Sequence, residues 1–183
     1  YNADNQALRK KAFKTGTVGF GMSYGTVRFG KISRSKSGYL KAEIHVGKYK
    51  KVVQTHMLGR QNLYSLLAAA TVAHELDIPF SAICFELTQV KSVAGRMNLL
   101  EGINTTRIID DSYNASPDAV VAALDTLAEF KGRKIAVLGS MNELGAEAIT
   151  EHQKVGAYAA KVVDMLVTVG KQADEYLAPA ATH

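Results

Sequence analysis

The stretch Ile108-Ile109-Asp110-Asp111-Ser112-Tyr113-Asn114-Ala115-Ser116-Pro117-Asp118 constrains the fold more than any other part of the chain. A β-branched run ends abruptly in acids, crosses a short polar turn and enters a helix through Ser116 and Pro117. Serine is a good N-cap, and proline is tolerated at the first helical position because its missing N–H would have no intrahelical partner there. The pattern predicts strand, turn and helix, with Asp110, Asp111, Tyr113 and Asn114 at the carboxyl end of the strand. Open α/β sheets place their ligands at that edge.

The rest of the sequence divides by period. Short β-rich segments over 17–20, 24–32, 39–46 and 49–57 are separated by Gly-, Ser- or Lys-rich turns. Val27, Phe29 and Lys31, and then Leu40, Ala42, Ile44 and Val46, alternate as a sheet with one packed and one wet face does. Leu63, Leu66, Leu67, Ala70, Ala73 and Leu76 recur at helical spacing and predict an amphipathic helix over 61–76, with a shorter one over 81–87 after Pro79. Beyond Ser92 the order restarts: strand 105–110, helix 117–130, strand 134–139, helix 146–163, strand 165–169. Strands alternating with helices of this length imply right-handed βαβ units and a parallel sheet. The expected domains are therefore 1–93 and 94–183. The Ala-rich tail from Leu177 to His183 shows no cap or closing strand.

Composition narrows the function classes. With 47% hydrophobic and 21% charged residues, the 183-residue chain can bury a core. No apolar run approaches the roughly 20 residues that span a bilayer, and no signal-peptide pattern opens the sequence. The single cysteine, Cys84, excludes an internal disulfide and sits among apolar residues, as an inert buried thiol would. A reducing, cytoplasmic setting is expected. The net charge of +5 suits an anionic ligand. Its densest patch, Lys48, Lys50 and Lys51, carries no nucleic-acid motif and reads as a lysine-blunted strand edge.

Several motifs have bland readings. Gly19-Phe20-Gly21-Met22-Ser23-Tyr24-Gly25 misses the dinucleotide spacing and precedes a strand pattern, so a turn or bulge is expected there. His45, His56 and His74 lack metal-ligand spacing, and no metal site is expected in this chain. His152 reads as a packing histidine, and Glu143 as an acid near a helix start. From spacing alone, Asp111 could equally cap the next helix or serve a ligand, and Arg96 could be a surface residue.

The chain resembles the Mur ligases. The segments that carry the resemblance, in the family's order, are Tyr1-Asn2-Ala3-Asp4, Leu58-Gly59-Arg60-Gln61-Asn62, Gly95-Arg96-Met97, Asp110-Asp111-Ser112-Tyr113-Asn114 with Pro117-Asp118, and Val137-Leu138-Gly139-Ser140-Met141-Asn142-Glu143-Leu144-Gly145. The resemblance implies an α/β chain: the remainder of a central ATPase domain, β-rich with helices, followed by a Rossmann-like parallel α/β C-terminal domain. It implies nucleotide binding by Asn62 (adenine), Arg96 (phosphates) and Asp111 (ribose hydroxyls), with Ser112, Tyr113 and Asn114 lining the substrate cleft. Guanidinium suits the phosphate role through its fixed fork of donors. The family usually has His at Gln61 and often Asp at Ser140, so no role is carried to either.

The implied activity is ATP-dependent amide-bond formation in peptidoglycan synthesis. A UDP-MurNAc-tripeptide carboxylate becomes an acyl-phosphate, which the amine of D-Ala-D-Ala attacks. A monomer without membrane or nucleic-acid partners is expected, closing around the junction near Val93. Family members carry their Gly-Lys-Thr/Ser loop, Mg2+ ligands and UDP-sugar domain upstream. The resemblance therefore implies an internal piece of a ligase, inactive alone, whose phosphate and metal sites lie outside it. Two alternatives are a non-catalytic nucleotide-binding module and another amide ligase of the superfamily. Sister enzymes tend to read Tyr-Ala-His at Ser112-Tyr113-Asn114, which argues against the second.

Overall fold

Strand β3 (Leu40–Val46) carries the expected alternation, with Leu40, Ala42, Ile44 and Val46 buried and Lys41, Glu43 and His45 half-buried. It pairs antiparallel with β2 (Val27–Arg34) on one side and β4 (Tyr49–Gln54) on the other. A two-residue strand, β1 (Phe20–Gly21), runs parallel to β2 and completes the order β1-β2-β3-β4. The register shifts between Phe29 and Ile32, because Gly30 and Lys31 together oppose Glu43. That bulge moves Lys31 outward and lets Ile32 take the packed side instead. Lys50 and Lys51 lie on β4, the edge strand, with Lys48 in the turn before it.

The computed structural model describes residues 1–11 and 16–182, in two units, Tyr1–Ser92 and Val93–His183. In the first, helix α1 (Gln6–Lys10) is a single turn capped by the Asn5 side chain. Helices α2 (Arg60–Glu75) and α3 (Phe80–Gln89) turn Leu63, Leu66, Leu67 and Ala70, and Ile83, Cys84 and Leu87, onto the sheet. Burial pushes the Cys84 thiol up, against the opposing pull of Lys51, as fits an inert core position.

The expected strands over 17–20 and 24–32 are shorter than the sequence suggests. The chain from Gly19 to Gly25 makes the tight turn that its glycines predict, closed by Thr26 N–H on the Gly19 carbonyl at 2.8 Å. Gly25 lies at φ +120°, and a Cβ there would fall 2.6 Å from that same carbonyl oxygen, so only glycine closes it.

The second unit opens with a hairpin that the sequence reading did not identify. Strand β5 (Asn98–Glu101) pairs antiparallel with β6 (Arg107–Asp110), from Asn98↔Asp110 to Glu101↔Arg107. The expectation of β6 within a parallel sheet is corrected here. Its connection to β5 is far too short for a crossover, and Gly102 N–H closes it on the Thr106 carbonyl at 2.8 Å.

Parallel pairing begins later in the chain. Helix α4 (Pro117–Ala128) precedes β7 (Ile135–Gly139), and helix α5 (Ala148–Ala159) joins β7 to the parallel β8 (Met165–Val169). Leu124, Ala136 and Ala159 form one small core and Met141, Val155 and Leu177 another. On the opposite face of the ribbon, Ile135, Val137, Met165, Val167 and Val169 are exposed.

The tail is ordered more than expected. Ala173–Leu177 forms a π turn and Ala178–Ala180 a last helical turn, α6, while His183 lies outside the described residues. Gly156 of α5 admits this turn, since a Cβ there would sit 2.2 Å from the Leu177 carbonyl oxygen. Gly156→Ala is expected to destabilise the second unit by about 1–3 kcal/mol. Urea unfolding should give a lower midpoint at unchanged slope, and an unaltered midpoint would refute the contact.

Candidate functional site

Two carboxylates at the end of β6 hold the segment that leads into β5. Asp110 accepts the Gly95 N–H on Oδ2 and the Ser112 N–H on Oδ1, both at 3.2 Å. Asp111 accepts the Met97 N–H on Oδ1 at 3.0 Å. Tyr113 N–H returns to the Gly95 carbonyl at 3.1 Å. Gly95 is at φ +73°, and a Cβ there would press to 3.2 Å on the Tyr113 Cβ, so the clasp needs glycine. The Ser112 hydroxyl and N–H, with the Gly95 N–H, hold the Asp110 carboxyl below its ordinary value against a smaller opposing effect of desolvation.

Arg96 and Tyr113 stand on the exposed side of this clasp. The Arg96 guanidinium carbon lies 4.2 Å from the centre of the Tyr113 ring, which is 73% exposed. Asn114 turns its Oδ1 onto the Ala115 N–H at 3.0 Å. Ser116 occupies the N-cap position, but its hydroxyl makes no capping bond, and Pro117 starts the helix as expected. Arg96, Asp110, Asp111, Ser112 and Tyr113 thus form one cluster in the second unit.

Asn62 belongs to the first unit, on the opening turn of α2. Its Nδ2 donates to the Leu58 carbonyl at 2.8 Å, which fixes the amide plane. Gly59 precedes it at φ +71° without a side-chain cap, and Gln61 is exposed.

The loop after β7 is tied inward. Ser140 donates its N–H to the Val169 carbonyl and accepts the Ala173 N–H on its hydroxyl, each at 3.1 Å. His152 is fully buried: Nε2 accepts the Met141 N–H at 3.0 Å, so Nδ1 carries the hydrogen and donates to the Ala148 carbonyl at 2.7 Å. Both ring nitrogens are satisfied, as expected of a packing residue. Glu143 corrects its expected role. It sits at φ +64° in the loop, while Glu147 and Glu151 are the acids at the entry to α5.

The glycine loop of the first unit holds an anion from its own chain. Asp4 accepts the Met22, Ser23 and Tyr24 N–H groups and the Tyr64 hydroxyl, the last at 2.8 Å. Sequence reasoning missed this pairing, although Asp4 stands in one of the motifs quoted for the resemblance. Partial burial raises the Asp4 carboxyl, but these bonds outweigh it and hold the group below its ordinary value. Desolvation and the neighbouring carboxylate push the Tyr64 hydroxyl up to about 12. Three successive N–H groups are a common anion cradle, and here the anion is Asp4.

Residues 95–182 match the family described as Mur ligase, glutamate ligase domain. The chain belongs to the Mur ligase family. It is 38% identical over 115 residues to the UDP-N-acetylmuramoyl-tripeptide–D-alanyl-D-alanine ligase of Escherichia coli K12, covering 62% of this chain and 25% of that protein. The Mycobacterium bovis ligase of the same name is 32% identical over 180 residues, covering 92% and 35%. The crystal structure of the Thermotoga maritima MurF ligase with ADP matches with a TM-score of 0.84 at 27% identity, covering 96% of this chain and 41% of that one. The chain thus spans about a third or less of the curated relatives it matches. Its α/β fold, with a Rossmann-like second unit, is that of the family.

The Asp4 network sets a pH response. A carboxyl whose folded value lies below its ordinary 3.8 stabilises the fold above that pH, and the contribution disappears as pH falls through the folded value. Asp4→Ala should cost about 1–3 kcal/mol at neutral pH. Thermal melts from pH 7 to 2 should show the gap from the parent closing below about pH 4. A gap independent of pH would contradict the assignment.

Proposed function

We propose that this chain supplies nucleotide-holding residues of an ATP-dependent ligase of peptidoglycan synthesis that joins D-Ala-D-Ala to UDP-MurNAc-tripeptide. The observation that carries the reading is the clasp at the end of β6. Among the described residues Asp111 engages only Oδ1, and the Arg96 guanidinium, in the same cluster, meets no hydrogen-bond acceptor. An unshared carboxylate oxygen suits the two hydroxyls of a ribose, and a guanidinium edge suits phosphate oxygens. Asn62 offers an oriented amide to the adenine edge. ADP in the Thermotoga maritima relative, and the shared name of the curated relatives, support the nucleotide and the substrates.

In this reading, residues 1–93 are the C-terminal half of the central ATP-binding domain and 94–183 the C-terminal ligase domain. A carboxylate oxygen of the tripeptide attacks the γ-phosphorus and ADP departs. The amine of D-Ala-D-Ala then attacks the acyl carbon, phosphate leaves, and the nitrogen loses a proton. The chain's own residues hold the nucleotide so that its γ-phosphoryl group meets the attacking oxygen, an orientation effect. Ser112, Tyr113 and Asn114 line the substrate cleft. Among the described residues no group of three His, Cys, Asp or Glu could hold a metal, and in this reading Mg2+ is held by other parts of the ligase. The working place is cytoplasmic, and no described helix is long and apolar enough to cross a membrane.

Asp111→Asn separates binding from folding. The amide oxygen can keep the Met97 N–H, but the second position becomes a donor and cannot accept from a ribose hydroxyl. In the complete gene product, KM for ATP should rise about ten- to hundred-fold with the melting temperature nearly unchanged. Unchanged KM and kcat would defeat the role of Asp111.

A further inference from the structure

The contact between Arg96 and Tyr113 adds a residue to this machinery, on the reading of Arg96 as a phosphate ligand. Arg96 makes no ion pair or side-chain hydrogen bond among the described residues, although Asp110 and Asp111 lie in the same clasp. Those carboxylates are turned to the backbone N–H groups of Gly95, Met97 and Ser112. What holds the guanidinium is the Tyr113 ring, 4.2 Å beneath its central carbon.

The ring itself is held from its backbone. Tyr113 N–H is bonded to the Gly95 carbonyl, and Arg96 N–H to that of Val93 at 3.0 Å. Arg96 directly follows Gly95 and Tyr113 is hydrogen-bonded to it, so both side chains leave backbone fixed at the same glycine. An aromatic face attracts a cation across the plane of the guanidinium and does not use its N–H groups. The in-plane fork of donors that matches two phosphate oxygens stays open.

We propose that Tyr113 is the positioning residue for Arg96, holding the guanidinium by its face so that its edge meets the nucleotide phosphates. Without the ring, Arg96 must be ordered at the moment of binding.

The test is ADP and adenosine binding to the complete gene product by titration calorimetry, with ATP KM and kcat alongside. Tyr113→Leu should weaken ADP binding about two- to five-fold, the size of an exposed cation–π contact. Adenosine, which has no phosphate, should bind as before. Tyr113→Phe should recover the ADP affinity lost in the leucine variant. In an Arg96→Ala background, Tyr113→Leu should add nothing.

Equal weakening of adenosine and ADP would overturn the proposal, since the ring would then act on the loop or the nucleoside. If Arg96→Ala weakens ADP and Tyr113→Leu does not, the positioning role alone falls. If Arg96→Ala leaves ADP binding intact, the phosphate reading of Arg96 falls and takes the positioning role with it.

Discussion

Backbone N–H groups in irregular segments must find acceptors, and in this protein side-chain carboxylates supply them. Asp110 and Asp111 take the Gly95, Met97 and Ser112 N–H groups, and Asp4 takes those of Met22, Ser23 and Tyr24. The hairpin β5–β6 brings its two ends together, and the carboxylates lock them there. Everything exposed at that edge, from Arg96 to Asn114, is oriented by this lock. A charged acceptor makes a stronger bond than a neutral one, so the segment is stiff where an ordinary loop would move.

The same accounting separates acids that still have chemistry to offer from those that do not. Among the described residues Asp110 commits both oxygens and Asp111 only one. Asp4 is surrounded by four donors. The N–H and hydroxyl oxygen of Ser140 and both ring nitrogens of His152 are engaged around the loop after β7. Identity of residue type says little here, because three acids, a serine and a histidine near loops divide into structural and available groups only through their partners.

Much of the fold was legible because the period of apolar residues reports directly on burial. The alternation in β3, the helical stripe of α2 and the strand–helix–strand run from Ile135 to Val169 appear where the sequence places them. What escaped the sequence is long-range or turn-driven. The pairing of β5 with β6 depends on the turn at Gly102, and a four-residue strand leaves little periodicity to read. The turn from Gly19 to Gly25 was legible from its glycines, but the distant carboxylate that anchors it, Asp4, was not. The π turn over Ala173–Leu177 had no local signal, and the close approach it makes is to Gly156 of α5, whose missing Cβ admits the Leu177 carbonyl. At the site, residue types pointed to the end of β6, but the cation–π contact and the division of labour between Asp110 and Asp111 needed coordinates.

The hydrogen bond from Tyr64 to Asp4 joins residues 60 positions apart. Closing so long a chain segment is entropically expensive until the intervening structure shortens the search. Pairing of the consecutive strands β2, β3 and β4, and the packing of α2 back on β1 and β2, do that shortening. The Asp4 contacts therefore depend on Met22, Ser23, Tyr24 and Tyr64 having been brought together by the sheet and α2. Asp4 is in that sense a latch: one carboxylate whose four donors come from two distant segments engages fully only when both are in place.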